Sequence, residues 1–303
     1  MQASRQKATR EVSWRDSAPA YLFIAPAFIL YALFFLWPLL HLVQLSTVKW
    51  KGVGPKVFVG LKNYLHILTS DPKFWLAFEH NVIWLFAAVV VPIVIGMFLA
   101  VLLARTPMHG RLLFRTIYFL PQVLSSVVVA VIWRGMYNPN YGAINSILRG
   151  IGLDFLARGW LGDRALVLPA LFIAWSWIHY GFCMVIFIAA LQSIDEVYFD
   201  AAKVDGANAL QQTWYVALPF IRGPLATVIL LTAIAAFQVF DLVFIITKGG
   251  PAGASLVLSV HMYDNAFRYD KVGQGAALAV FLGALISVLS IIFLRVRRRL
   301  EAD

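Results

Sequence analysis

The chain has 303 residues, of which 61% are hydrophobic and 13% are charged, and it carries a formal net charge of +10. Soluble globular domains have about one-quarter charged residues. A soluble core could not bury so much apolar side chain. The composition therefore excludes a soluble globular protein and predicts an integral membrane protein.

Six apolar runs are long enough to cross the hydrocarbon core of a bilayer, which is about 30 Å thick and needs roughly 20 helical residues. They are residues 21–43, 81–104, 117–137, 165–192, 224–247 and 275–294. These runs lack the alternating pattern of barrel strands, so each is predicted to be a helix that satisfies its own backbone hydrogen bonds. The predicted fold class is all-α, a polytopic membrane protein with six transmembrane helices.

The chain is predicted to form one membrane domain, residues 21–294, between short polar tails at residues 1–20 and 295–303. The first apolar run is too long for the core of a signal peptide and is interpreted as an uncleaved anchor. An even number of spans places both tails on one side, and their basic residues indicate the cytoplasm. The rule is weaker for the loop 44–80, which is predicted to be external and yet carries several lysines: Lys49, Lys51, Lys56, Lys62 and Lys73.

Motifs for catalysis and for metal binding are absent from the sequence. There is no Gly-x-x-x-x-Gly-Lys-Ser/Thr phosphate loop, no His-Glu-x-x-His and no Gly-x-Ser-x-Gly, and the histidines are scattered. The single cysteine, Cys183, excludes an internal disulfide. Because the positive charges are spread over loops, they suit the anionic inner leaflet better than a nucleic acid. We therefore predict no catalytic residue, no metal site and no cofactor bound by this chain.

The loop 193–223 is the longest of the predicted cytoplasmic loops. Residues 194–210 contain enough alanine and leucine for a short helix, and acidic residues at its start suit the helix dipole. Gly206 is predicted to end or bend this helix. The residues alone leave two interpretations open with equal weight, an ordinary solvated connector and a docking element.

One motif in this loop decides between them. Asp200-Ala201-Ala202 is followed by Gly206, Val216 and Leu218-Pro219. The spacing resembles the Glu-Ala-Ala, Gly, Ile, Leu-Pro signature of the inner-membrane permease subunits of binding-protein-dependent ABC importers, with Asp in place of Glu and Val in place of Ile. The resemblance implies the type I ABC importer permease fold. It also implies that Asp200, Ala201, Ala202, Gly206, Leu218 and Pro219 belong to a coupling helix that docks on an ATP-binding subunit.

Further blocks narrow the resemblance to the carbohydrate-type branch of that family. They are Gly60-Leu61-Lys62-Asn63-Tyr64, Arg115-Thr116-Ile117-Tyr118-Phe119-Leu120-Pro121, Asn138-Pro139-Asn140-Tyr141-Gly142 and Thr247-Lys248-Gly249-Gly250-Pro251. The resemblance implies a bacterial or archaeal inner membrane and a substrate that is a sugar or related polyol, delivered by an external solute-binding protein. It further implies a heterodimer with a second permease subunit and two ATP-binding subunits, which hold ATP and magnesium.

Helical spacing predicts three polar or aromatic stripes in the spans. Residues at positions i, i+4 and i+7 share a helix face, and such sets are Trp175, His179 and Phe182 in span 4, Gln122 and Ser126 in span 3, and Thr232, Ala236 and Val239 in span 5. The carbohydrate-type resemblance implies substrate contacts at these positions. Helix packing is an equal alternative for Ser126, Thr232 and Ala236.

Charge in these stripes bears on the class of substrate. A phosphate or carboxylate would require Arg or Lys in the cavity, and the stripes contain neither, so a neutral sugar or polyol is favoured. Two other classes of protein stay open. A secondary transporter or channel for a small polar solute would show inverted repeats or an ionisable relay, and an intramembrane enzyme would show a nucleophile or metal set.

Overall fold

The computed structural model describes the backbone of residues 14–105 and 109–302 and the side chains of residues 21–105 and 109–298. The helices in chain order are α1 Trp14–Tyr31, α2 Trp37–Ser46, α3 Lys62–Ser70, α4 Pro72–Arg105, α5 Arg111–Val123, α6 Ser126–Met136, α7 Ala143–Gly150, α8 Val167–Gln192, α9 Glu196–Val204, α10 Ala209–Gln212, α11 Leu218–Phe220, α12 Arg222–Phe237, α13 Asp241–Ile246, α14 Leu258–Tyr263 and α15 Val272–Ala302.

Short irregular elements join these helices. π-helical turns lie at Ala32–Leu36, Thr213–Ala217 and Asp264–Arg268, and a 3-10 turn lies at Asp154–Leu156. Strands β1 Val48–Lys49 and β2 Val57–Phe58 form an antiparallel pair in which Val48 faces Phe58. The described chain is thus mainly helical with a single two-stranded sheet, which confirms the predicted fold class.

Five helical stretches are long and apolar enough to cross a membrane, and a bent pair supplies the sixth. The five are Tyr21–Ser46, Pro72–Arg105, Val167–Gln192, Arg222–Ile246 and Val272–Arg298, and the pair is α5 with α6, bent by 98°. The six predicted runs therefore correspond to the six spans. Two of the runs are not continuous helices. In the third run the backbone is extended at Leu124 and Ser125. In the fifth run α12 ends at Phe237 and α13 begins at Asp241.

Span 4 lies at the centre of the bundle, because glycines let neighbouring backbones approach it closely. A Cβ added to Gly96 of α4 would lie 2.6 Å from Cys183 Cβ and 2.9 Å from the backbone nitrogen of Met184. A Cβ added to Gly181 would lie 2.7 Å from the carbonyl oxygen of Tyr118 in α5. Small residues at such crossings are how membrane helices gain dispersion contacts. Cys183 is fully buried at this crossing and serves packing.

On the side of the bundle opposite the 193–221 segment, the connection between α13 and α15 folds back onto the start of α4. Asn81, which is fully buried, accepts a hydrogen bond from Leu258 N at 2.8 Å and donates to the carbonyl of Ala236 at 3.4 Å. His261 Nε2 lies 2.7 Å from a carboxylate oxygen of Asp71. These polar contacts replace helix hydrogen bonds where the backbone is irregular.

Candidate functional site

Helix α9 contains the Asp-Ala-Ala motif and is capped at both ends by its own sequence. The Asp195 side chain accepts a hydrogen bond from Val197 N at 3.1 Å, which satisfies a free donor of the first turn. At the other end, Gly206 has φ +81°, and Ala207 N donates to the carbonyl of Ala202 at 2.9 Å. Only glycine adopts this left-handed conformation without strain. The predicted role of Gly206 in ending the helix is confirmed.

Residues 194–210 form two short helices on either side of Gly206, where the sequence predicted one short helix that Gly206 ends or bends. The first helix stops at Val204, and the second begins at Ala209. Asn208 and Gln211 form a reciprocal capping box, with hydrogen bonds of 2.8 and 2.9 Å between side chain and backbone. This asparagine box is a strong signal for a new helix start, and the sequence interpretation missed it.

An aromatic residue and an arginine fix α9 to the C-terminal end of α4. Phe199 is 1% exposed, and the guanidinium carbon of Arg105 lies 3.4 Å from the centre of its ring. Arg105 also donates to Glu196 Oε1 at 3.0 Å. On the other flank, the rings of Tyr198 and Phe220 are 4.6 Å apart, which joins α9 to α11. These contacts join α9 to α4 and to α11.

The motif residues divide between an exposed and an enclosed set. Asp200, Ala201 and Gly206 are exposed, whereas Ala202, Leu218 and Pro219 are half-buried. Leu218 and Pro219 begin α11, and the flanking Ala217 and Ile221 are buried in one apolar cluster with Phe199 and Leu191. The Lys203 ammonium donates to Asp200 at 2.8 Å, and this hydrogen bond together with its charge lowers the pKa of the Asp200 carboxyl.

The outer face of this segment is apolar although it lies outside the spans. Its exposed side chains include Val197, Val204, Leu210, Trp214 and Tyr215, which are 61% to 88% exposed. Large exposed apolar patches mark sites of protein–protein or membrane interaction. We name residues 195–220 the coupling segment.

The predicted stripe of span 4 lies on one face of α8. The rings of Trp175 and His179 are stacked, with centres 4.5 Å apart and planes inclined by 12°, and His179 is 5.4 Å from Phe182. His179 Nε2 lies 2.9 Å from Thr232 Oγ1 of α12. The structure therefore brings the stripes of spans 4 and 5 together in the middle of the bundle.

Burial shows that part of this cluster packs helices in the present conformation. Thr232 and Ala236 are fully buried, and Trp175 and His179 are each 9% exposed. For Thr232 and Ala236 this geometry is the packing arrangement that the sequence offered as the alternative. Contact with a substrate at these positions requires the helices to separate.

Two of the expected stripes are wrong as helix faces. Gln122 and Ser126 lie on different helices, because the chain is extended at Leu124 and Ser125. Ser126 donates instead to Asp241 Oδ2 at 2.6 Å. Val239 lies beyond the end of α12, and Ser259 Oγ donates to its carbonyl oxygen. At this break the Ser259 side chain replaces a helix hydrogen bond of the backbone, and helical spacing does not predict such a contact.

Two polar residues near these breaks, Asn81 and His261, were not identified from the sequence, whereas Asp241 was interpreted as a helix end or a partner for Lys248, without its contact to Ser126. Asn81 holds α4 against α12 and α14, Asp241 begins α13 and accepts from Ser126, and His261 pairs with Asp71. An asparagine and an aspartate at the ends of apolar runs are a weak signal, because both are also common caps. Their hydrogen-bond partners lie far away in the sequence and are identified only from the packed structure.

The hydrogen bond between His179 and Thr232 predicts an energetic coupling between spans 4 and 5. We expect the losses in unfolding free energy caused by His179→Phe and Thr232→Val to be less than additive in the double variant, with a coupling energy of about 0.5–1.5 kcal/mol. Unfolding of the purified protein in a denaturing-detergent titration measures it. Thr116→Val is the matched control, because Thr116 bonds only within its own helix, to the carbonyl of Leu112. Additive effects in the first pair would contradict the link.

Six helical spans around a central α8 define a polytopic membrane protein, and the coupling segment presents exposed apolar side chains on one side of it. Residues 92–303 match the family model described as "Binding-protein-dependent transport system inner membrane component". The chain belongs to this family, whose members are membrane-embedded components of transport systems.

Full-length relatives agree with this assignment. The chain is 34% identical over 273 residues to the "Probable ABC transporter permease protein YurN" of Bacillus subtilis, covering 89% of this chain and 93% of that protein. It is 33% identical over 275 residues to the "Lactose transport system permease protein LacF" of Rhizobium radiobacter, covering 89% and 91%. A crystal structure of a bacterial alginate ABC transporter in complex with alginate pentasaccharide-bound periplasmic protein contains a chain of the same fold, with TM-score 0.83, 21% identity and coverage of 96% and 98%.

Proposed function

We propose that this chain is one membrane-spanning permease subunit of an ATP-driven importer and that it translocates a sugar or related polyol delivered by an external solute-binding protein. One observation carries the proposal: the exposed apolar face of the coupling segment is fixed to α4 through Phe199 and Arg105. A surface that both docks a partner and is anchored to a span is suited to transmit motion into the membrane. The sugar relatives support the class of substrate.

The partners follow from the proposed division of labour. Two ATP-binding subunits hold ATP and magnesium and hydrolyse ATP, a second permease subunit completes a heterodimer, and this chain has a transport role without catalysis. No phosphate loop exists in the sequence to bind ATP. The proposed coupling residues are Asp200, Ala201, Ala202, Gly206, Leu218 and Pro219.

The proposed mechanism is alternating access. Closure of the ATP-binding subunits pushes α9, and the Arg105–Glu196 ion pair and the Phe199 contact carry that displacement to the inner end of α4. Ala217 and Ile221, packed in the same apolar cluster, carry it to α12. As the two permeases rock apart and together, a transient cavity opens for the solute.

The proposed solute pathway follows the face of span 4 that carries Trp175, His179 and Phe182, with Gln122, Ser126, Thr232, Ala236 and Val239 as further contacts. Aromatic plates stack on sugar rings, and hydroxyl and amide groups exchange hydrogen bonds with sugar hydroxyls. Gln122 supports this assignment, because its buried Oε1 has no hydrogen-bond partner among the described residues. An unpaired acceptor is available to a polyol donor.

Purification of the protein from membranes together with its bound subunits tests the proposed function. We expect an affinity tag on this chain to recover a second permease and an ATP-binding subunit, and sugar-loaded binding protein to stimulate ATP hydrolysis by the recovered assembly. Binding protein without sugar is the control. Solute uptake that proceeds without any ATP-binding subunit would contradict the proposal and favour a secondary transporter or channel.

The proposed orientation places both termini and the coupling segment in the cytoplasm. Tyr215 and Tyr141 are a matched pair, being 79% and 76% exposed on opposite sides of the bundle. In a Cys183→Ser background, we expect Tyr141→Cys to react with an impermeant thiol reagent in intact cells and Tyr215→Cys to react only after permeabilisation. The reverse labelling would contradict this topology.

A further inference from the structure

A basic cleft of about 740 Å³ lies on the side of the bundle opposite the coupling segment. It forms where β1, the start of α3 and the start of α15 meet. Four lysines line it: Lys49, Lys51, Lys62 and Lys271. Three of them belong to the loop whose positive charge conflicts with the orientation rule, so the structure collects the exceptional charges in one place.

The walls of this cleft are fixed by buried contacts. The Asn63 side chain, 6% exposed, donates to the carbonyls of Ser46 and Val48 at 2.8 and 2.9 Å. A Cβ at Gly273 would collide with the carbonyl oxygen of Val48. The backbones of α3, β1 and α15 are therefore held in contact, and the lysines project from a rigid frame.

The charge of the cleft is not compensated within the described residues. Asp270 is the one acidic residue in its lining, and none of the four lysines forms an ion pair with a described carboxylate. Lys62 begins α3, and Lys271 directly precedes α15. Positive charge at a helix N-terminus is unfavourable. These lysines therefore do not stabilise the fold, and an anionic ligand would offset the repulsion between their positive charges.

The position of the cleft indicates where that ligand comes from. It lies directly after the span Tyr21–Ser46 and directly before the span Val272–Arg298, whose apolar windows are 0% and 11% buried within this chain. Exposed apolar side chains flank it, with Val53, Phe58 and Leu61 at 88%, 76% and 73% exposure. Apolar side chains beside lysines are the pattern of a surface that enters the headgroup layer.

Aromatic rings complete the interfacial pattern. Trp50 and Tyr269 line the cleft, and two more lysines lie over them: Lys56 Nζ is 4.7 Å from the Trp50 ring centre, and Lys73 Nζ is 5.5 Å from that of Tyr269. Tryptophan and tyrosine favour the headgroup level of a bilayer. An acidic face of a soluble protein would not require the exposed apolar rim.

We propose that this cleft binds the phosphate headgroup of an anionic phospholipid, with the lysine ammonium groups around the phosphodiester and the apolar rim in the upper acyl region. The site is separate from the coupling segment and from the solute pathway. It anchors the β1–β2 hairpin and the start of α15 to the leaflet opposite the coupling segment.

Native mass spectrometry of the detergent-solubilised assembly, titrated with phosphatidylglycerol or phosphatidylcholine, tests the site. We expect phosphatidylglycerol to bind more tightly, and Lys62→Gln with Lys271→Gln to weaken that binding on the order of tenfold. Arg158→Gln with Arg164→Gln is the matched control, because it removes two exposed charges from another loop on the same side. This control is expected to keep the lipid preference.

Four results would overturn the proposal. Equal binding of the two lipids by the unaltered protein, or equal losses in both double variants, leaves no specific site. Displacement of phosphatidylglycerol by excess inorganic phosphate alone would assign the cleft to a free anion. Unchanged lipid binding in the lysine double variant, with lost stimulation of ATP hydrolysis by the binding protein, would assign it to protein docking.

Discussion

Gly206→Pro is expected to lower uptake on the order of tenfold or more while the chain still inserts into the membrane. Gly206 has φ +81°, and its N–H donates to the carbonyl of Lys203 at 3.0 Å. Proline fixes φ near −65° and has no N–H, so the turn that ends α9 cannot form. Local strain of about 1–3 kcal/mol is enough to displace Ala201 and Ala202 from their proposed docking position. Because coupling free energies are of similar size, uptake and substrate-stimulated ATP hydrolysis should fall on the order of tenfold or more.

Gly152→Pro is the matched control for that variant. Gly152 has φ +79°, its N–H donates to the carbonyl of Arg149 at 3.1 Å, and a Cβ at either glycine would meet nothing within 4 Å. The two variants therefore lose the same turn chemistry at opposite ends of the bundle. Equal transport in both, measured by uptake into reconstituted vesicles, would show that the Gly206 turn has no role in coupling.

Trp175→Ala combined with Gln122→Ala is expected to lower substrate uptake strongly while the assembly still docks its binding protein and hydrolyses ATP. Trp175 presents a ring stacked on His179, and Gln122 presents an acceptor oxygen that has no hydrogen-bond partner in the described part of the chain. Stacking and a hydrogen bond contribute about 1 kcal/mol each, so each single variant should lower uptake several-fold. The pair should lower it by more than about tenfold.

Truncation of a packed tryptophan also costs stability, so the control must lose a similar contact. Trp177→Ala meets this need, because Trp177 is half-buried and contacts Trp133 with ring centres 5.9 Å apart. It lies on another face of α8 and is expected to transport almost normally when assembly is intact. If Trp177 is essential and the Trp175 pair is dispensable, the solute pathway lies on a different helix face.

The membrane class, the six spans and the turn at Gly206 are determined by the sequence alone. The first two depend on runs of apolar residues against the thickness of a bilayer, which is a local requirement of length. Gly206 is equally local, since a helix end needs a residue with positive φ a few positions beyond its last turn. The face shared by Trp175, His179 and Phe182 follows from the helical period within one unbroken helix.

Only the tertiary structure decided where spans 3 and 5 break and which polar groups meet. An apolar run does not show where backbone groups leave the helix, because their replacement partners come from distant segments. Ser259 donates a hydrogen bond to the carbonyl of Val239, and the His179 side chain is hydrogen-bonded to that of Thr232, which is 53 residues away. The amide of Leu258 reaches Asn81 across 177 residues. In a bundle without water, a broken helix is stable only when another segment satisfies its free donors and acceptors, and that pairing is a property of the packed fold.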